Sequence, residues 1–545
     1  MKRLLFFLAL GSRAAVLLAQ APAAAPQKPP ELLAGMGSHR HPIQTPSAEA
    51  QKYFDQGVTL LFGFNHEEAY RSFAKAAELD PKSPMPHWGM ALALGANYND
   101  PEPEADRLKK ARDEVERGLA LSAGASENER AYVVALSKRY VANPADADKA
   151  QLAREYAAAM KDLSARYPDD LDAATMYAES LMNLHPWKLW KNGAPGENTV
   201  EIVAVLESVL KRDPSHPGAN HYYIHAVEAS KEPEKALASA ARLETLVPSA
   251  GHLVHMPAHI YMRTGDYVAA EKSNAIAAEV DREYLRATGA HGLYTMMYYE
   301  HNVQFQSAAA CMAGRYGEAK KTADLLFAEV LPEATAMPML EGYLLQPAFV
   351  ALRFRKWDDI RRMPDPGPRL PLLRATWLYA RAMAAAAAGD VTKAETIRDA
   401  FVIARNALPA EAMAGPQNTG AALLKVATHV LDARIAEAKG DRKVAIASWR
   451  KAVEAEDALA YDEPPPWYYP VRESLGAALL ADGQAAEAEA VFRADLEIHP
   501  RNGRALYGLW KSLEAQARGA DAAWAKAQFE AAWKDADTKV RLEDL

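Results

Sequence analysis

One turn recurs along this chain in a single phase: a glycine, a polar residue, and an alanine a few positions later. It appears as Gly265-Asp266 before Ala270, Gly314-Arg315 before Ala319, Gly389-Asp390 before Ala394, Gly440-Asp441 before Ala445 and Gly483-Gln484 before Ala488. Repetition at fixed phase restricts the fold sharply. One small unit cannot bury its own apolar face, whereas stacked units bury each other's. The fullest copy, residues 50–81, places Gly57, Ala69, Phe73 and Ala76 at helical spacing and ends at Pro81. The same order returns in residues 469–500 with Gly476, Ala488, Phe492 and Pro500. No alternating strand pattern of useful length occurs. A chain of 545 residues also exceeds one ordinary core. Its 50% hydrophobic content, rich in alanine, argues against disorder and for closely packed helices.

This order of small, small, aromatic, small and proline resembles the tetratricopeptide-repeat (TPR) consensus. The resemblance runs from about Ala48 to the C-terminal region and is weakest in residues 101–167 and 331–371. It implies an all-α fold, a TPR-type α-α superhelix built as a right-handed solenoid of helical hairpins. Three phrases are similar to an uncharacterised bacterial His-rich TPR family: Phe64-Asn65-His66-Glu67-Glu68-Ala69, the run from His252 through His255 to His259, and Tyr299-Glu300-His301-Asn302. That likeness implies architecture and little chemistry. TPR proteins in general imply a protein or peptide partner held in a concave groove.

The N-terminus reads as an export signal over residues 1–21. Lys2 and Arg3 precede an apolar run too short to span a membrane, and small residues surround Ala19 and Ala21. A periplasmic or secreted location follows as the expectation. Residues 22–47, rich in Ala and Pro, read as a flexible tether. Three repeat blocks are expected beyond it: 48–215, a His-rich 216–330, and 331–545. Irregular stretches at 192–198, 363–371 and 463–466 are expected to interrupt the stack.

A net charge of −8 and the absence of a basic stripe exclude a nucleic-acid binder. The single cysteine, Cys311, excludes an internal disulfide and a thiolate-rich metal site, and reads as a small apolar filler. No zincin helix, nucleophile elbow or phosphate loop is present.

Histidine carries the chemistry. Of 15 in the chain, His221, His225, His252, His255, His259, His291 and His301 fall in one stretch. His221 and His255 are one repeat period of 34 residues apart, as are His225 and His259. Four residues apart on a helix, the members of each pair share a face. The same phasing places His301 where His252 stands, and Glu179 where Glu228 stands. In TPR proteins such positions line the groove. The resemblance therefore implies a patch formed by Glu179, Glu228 and the histidines, with Glu300 and His291 nearby. Imidazoles and carboxylates without thiolate suit Zn, Cu, Fe or Mn. The expected metal ligands are His221, His225, His252, His255, His259 and His301, enough for two ions, with the pairs His221/His225 and His255/His259 at the centre. Glu228 or Glu179 would serve as ligand or general base in a metal-dependent hydrolase or oxidase.

Further groove candidates are His66, Trp88, Asn97, Asn99 and His185, each also readable as turn, packing or helix-end residues. The tyrosines Tyr222, Tyr223, Tyr298 and Tyr299 read as hairpin core. Two other functions fit the same residues: a scaffold binding a peptide or protein in the groove, and a metal-independent small-molecule enzyme using a groove histidine as acid or base.

Overall fold

The structure, a computed structural model, describes residues 28–545 except 291 and 293. The expected signal segment therefore lies outside the described residues, as does His291.

Helices follow one another from Ala48–Phe62 to Gly519–Ala532, each packing against the next. The chain is an all-α, TPR-type superhelix. The described strands are the two-residue pair Trp190–Lys191 and Ala194–Pro195. The recurrent turn has a physical basis at its glycine. Gly265, Gly314, Gly389, Gly440 and Gly483 all have φ between 73° and 79°, the left-handed conformation that ends a helix. The small-and-aromatic part of the repeat is equally mechanical. Phe73 lies between Gly57 and Gly89, where an added Cβ would come within 2.5 and 2.6 Å of its ring; Phe492 has the same relation to Gly476 and Gly508. Helices at these crossings approach until only hydrogen separates backbone from ring.

Two expectations are corrected. Residues 28–47 do not hang free. Lys28 N–H bonds to Thr288 O (3.1 Å), Leu33 N–H to Gln56 Oε1 (2.7 Å) and Gln44 N–H to Glu129 Oε1 (2.6 Å), while Met36 and His41 are buried. Composition suggested a tether because it counts Ala and Pro; the few apolar and imidazole side chains that anchor the segment escaped that count. Nor does the stack stay one-dimensional. Tyr284 reaches Glu68, Tyr267 donates to Pro500 O (3.0 Å), and Tyr461 reaches Glu228. One apolar cluster runs from Met36 to Tyr298 and a second from Ala278 to Leu545, so packing continues unbroken through the expected boundary at residue 215. The superhelix curls until distant hairpins meet, and its central groove becomes an interior.

Candidate metal centre

The helix Pro217–Val227 carries His221 and His225; Gly251–His255 carries His252 and His255; Pro257–Thr264 carries His259; Glu300–Met312 carries His301. Pro257 interrupts the hydrogen-bond ladder of the second hairpin's first helix without turning the chain, since Met256 keeps helical angles. His255 and His259 therefore still share a face. Five of the six imidazoles are 0–2% exposed, and His301 is half-buried.

The rings gather as two triads: His221, His225 and His252; and His255, His259 and His301. Within each, three ring nitrogens lie within 4.8 Å of one another. The pairs expected at the centre, His221/His225 and His255/His259, fall in separate triads, and His252 and His301 each complete one of them. Glu228 ties the two together. Its Oε1 accepts from His225 Nδ1 (2.7 Å) and its Oε2 from His259 Nδ1 (2.5 Å).

Proton placement follows from the partners. A carbonyl or carboxylate oxygen can only accept, so the nitrogen facing it carries the hydrogen. His221 Nδ1 faces Phe62 O (2.6 Å), and His255 Nδ1 faces Asn274 Oδ1 (2.6 Å), whose amide nitrogen is committed to Ala270 O (2.8 Å). His225 and His259 give their Nδ1–H to Glu228. Four rings thus point a bare Nε2 inward when neutral. His255 Nε2 lies 2.8 Å from His259 Nε2 and 3.2 Å from His301 Nε2; His221 Nε2 lies 3.1 Å from His252 Nε2. Two lone pairs at 2.8 Å repel unless a cation stands between them. Without an ion that cation is a proton, and His259 is the ring placed to take it. Burial pushes its pKa down, but the Glu228 carboxylate outweighs this and the net shift is upward. Burial, followed by the neighbouring imidazoles, holds His221, His252 and His255 well below their ordinary value; it also lowers His225, and puts His301 at about 3. One proton does not serve both triads. His225 Nε2 and His252 Nδ1 are buried without any hydrogen-bond partner, at an ordinary cost of about 1–3 kcal/mol each.

Aromatic rings wall the site. Phe64 stacks on His225 and His252 and meets His221 edge-on; Tyr98 and Trp187 cover His225, and Phe305 covers His255 and His259. Asn99, a sequence candidate, holds this wall: its Oδ1 accepts from Trp187 Nε1 (3.1 Å) and its amide reaches Tyr298 (3.4 Å), which sits against His252.

The remaining candidates lie elsewhere. Glu228 touches the Nδ1 side of the rings rather than the converging Nε2 atoms. Burial raises its pKa, but His259 and His225 outweigh this and hold it down to about 2, so it orients imidazoles and is no general base. Glu179 pairs with Asn183 Nδ2 (2.5 Å) and senses Arg139, not the histidines. Glu300 is pushed up to about 8 by burial and by Glu329 and Glu333, with no histidine among its partners. His66 rests on Phe64 with its Nδ1 on Phe64 O (3.0 Å), one ring removed from the triads. Trp88 is core, packed with Phe54 and Tyr132. Asn97 closes a turn by accepting from Asn99 N and Asp100 N. His185 faces Glu197 at the surface (3.4 Å). Cys311 is buried in apolar packing that raises its pKa to about 12.

Several neighbours were not read from the sequence. Asn274 and the Phe62 carbonyl fix tautomers. The C-terminal half contributes Tyr461, whose hydroxyl lies 2.7 Å from Glu463 Oε1 and 3.3 Å from Glu228 Oε2; Glu463 is buried and its Oε2 has no partner. The irregular stretch expected at 463–466 is non-helical, and just before it Tyr461 reaches Glu228 from the C-terminal half.

A separate cluster surrounds Asp172. Its Oδ2 accepts from His41 Nδ1 (2.6 Å), while His216 Nε2 (2.9 Å) and His39 Nε2 (3.1 Å) face Oδ1. It borders a cleft of about 740 Å³.

No family model matches this chain, and no curated protein matches it. Among solved structures, the crystal structure of yeast Tom70 is similar at 13% identity, covering 86% of this chain and 96% of that one, with a TM-score of 0.31.

Proposed function

We infer that this protein binds transition-metal ions in the interior of its superhelix, one at each histidine triad, with Glu228 beneath both. The supporting observation is the facing pair His255 Nε2 and His259 Nε2 at 2.8 Å, each ring having its Nδ1–H held by an outside acceptor. Imidazoles with Nδ1 so engaged and Nε2 converging have the proton arrangement of metal ligands. Ligand nitrogens of a tetrahedral ion sit about 3.3 Å apart, given bonds of about 2.0–2.1 Å, and the contacts of 2.8–3.2 Å fall just short of that spacing, so the rings need open only slightly to take an ion. A neutral donor set of imidazoles suits Zn, Cu or Fe better than the harder Mn. Three ligands per ion leave a coordination position for water or a small molecule, the arrangement a hydrolase or oxidase would use.

Burial also separates this reading from that of a peptide scaffold. His221 and His255 are fully buried, so a chain lying in the groove would have to displace Phe64 or Phe305 before touching them. The reading is tested on untagged protein by elemental analysis after loading with Zn²⁺ or Cu²⁺ and dialysis. Close to two equivalents is the expected result. Less than about 0.3 equivalents of either metal, unchanged in His255→Ala, would remove it.

A further inference from the structure

Far from the histidines, the last residues of the chain lie in a pocket lined with arginine. Arg353 and Arg355 stand at the end of the helix Gln346–Arg353 and just beyond it, Arg434 on Gly420–Ala438, and Arg504 on Gly503–Ala515. Among the described residues, the surrounding helices pair two carboxylates with these four cations, and a third, Asp495, lies behind Glu473 on the shared Asn502 amide. Glu473 is shared by Arg353 (2.5 Å) and Arg504 (2.8 Å), and Glu437 pairs with Arg434 (3.0 Å). Arg353 Nε is buried with no partner. The cations crowd one another: burial, then Arg434 and Arg504, lower Arg355 to about 9.

Residues 541–545 meet this surplus. Arg355 and Arg434 donate to Leu545 O (2.9 and 2.6 Å), and Arg504 to Asp544 O. The Leu545 side chain is 1% exposed, while Arg541 and Glu543 face solvent. Upstream, Trp533 and Thr538 bind the Gly314 turn, and Asp537 accepts from Tyr316 N and Gly317 N, which leads the segment across from the last hairpin. The hold within the pocket is of a kind a short acidic peptide with one leucine could reproduce: main-chain oxygens and one buried apolar side chain, with the Asp544 carboxylate bonded to Arg541 of its own segment and lying in the field of Arg355 and Arg504. None of it needs this segment's covalent attachment.

We propose that the Arg353/Arg355/Arg434/Arg504 pocket is a peptide-recognition site for an acidic, leucine-bearing segment of a partner protein, and that residues 541–545 fill it in cis as a built-in competitor. A tethered competitor acts at an effective concentration of about millimolar. It lowers apparent affinity for an outside peptide by the fraction of time the pocket is open.

The test uses the full chain and a fluorescent peptide of residues 539–545. Asp544→Lys combined with Leu545→Lys expels the tail by setting two cations against the arginines. This variant is expected to bind the peptide saturably, at least about tenfold more tightly than the unaltered chain. Adding Arg355→Ala, which removes a donor bonded to Leu545 O, is expected to weaken that binding severalfold. Circular dichroism confirms that each variant is folded. A folded expelled-tail variant that binds no peptide would overturn the site, and equal binding with and without the tail would overturn the competition.

Discussion

Two imidazole clusters sit in this molecule, alike in residue type and opposite in proton logic. In the triads, every ring with a defined Nδ1 partner gives its hydrogen outward, and bare Nε2 atoms face one another. Around Asp172 the rings face a carboxylate instead. His216 is the clearest case. Its Nδ1 accepts from Ala219 N–H (3.1 Å) at a helix start, so in the neutral ring the hydrogen sits on Nε2, aimed at Asp172. A metal bound through His216 Nε2 would require an imidazolate. Burial pushes Asp172 up, but His39, His216 and His41 together hold it well below the usual carboxylate range; burial would lower His41, yet Asp172 raises it. Both clusters keep buried atoms without a hydrogen-bond partner, His225 Nε2 and His252 Nδ1 in one and His39 Nε2 and Asp172 Oδ1 in the other, but around Asp172 the rings converge on a carboxylate and in the triads on one another. Histidine count alone cannot separate them; the partner of the second ring nitrogen can.

The largest expected effect tests the Asp172 cluster. Asp172→Ala removes a buried carboxylate that faces three rings, and should lower unfolding free energy by about 3–5 kcal/mol, read by denaturant titration, with bound metal unchanged. A loss of metal in that variant would erase the distinction drawn here. Next, His255→Ala should remove one equivalent of metal, while His39→Ala removes none. Protein saturated with metal should gain about 2.7 kcal/mol at a hundredfold excess over Kd, a gain His39→Ala retains. Glu228→Gln replaces one oxygen by a donor facing an imidazole N–H, and should cost about 10–100-fold in metal affinity with all six ligands present. The smallest effect is in pH. His41 has a folded pKa above its ordinary 6.5, so its contribution is fully present below 6.5 and lost as pH rises through the folded value. Asp172 contributes above 3.8 and loses that contribution as pH falls through its lower folded value. The hold of Asp172 on His41 and residues 28–47 should therefore be firmest between those limits, whereas metal should leave as pH falls and protons compete for imidazole. Unfolding and metal retention measured across pH 5–8 should move in opposite directions.

Much of this was legible because it is periodic. The Gly265 and Gly314 turns, the Phe73 and Phe492 crossings and the helical rungs of His221, His225, His255 and His259 are short-range facts that a register of 34 residues exposes. The same register named all six triad histidines. It failed where the chain closes on itself. His41 meets Asp172 across 131 positions, from a stretch whose composition reads as linker. Glu179 has the phase of Glu228, yet phase fixes the face of a helix and not what curls over it. Tyr461 and Glu463 stand in a proline-rich interruption, where no repeat indicates what they touch.

The reach of Tyr461 back to Glu228 across 233 positions has a consequence for how such a protein is made. A ribosome delivers all six imidazoles well before it delivers Tyr461, which reaches the carboxylate beneath them. During that interval the growing chain already has the ring wall of Phe64, Tyr98 and Trp187 but not Tyr461 and Glu463. On the proposed reading, an ion would load most easily before Tyr461 reaches Glu228, and its later exchange would be limited by how often that contact opens.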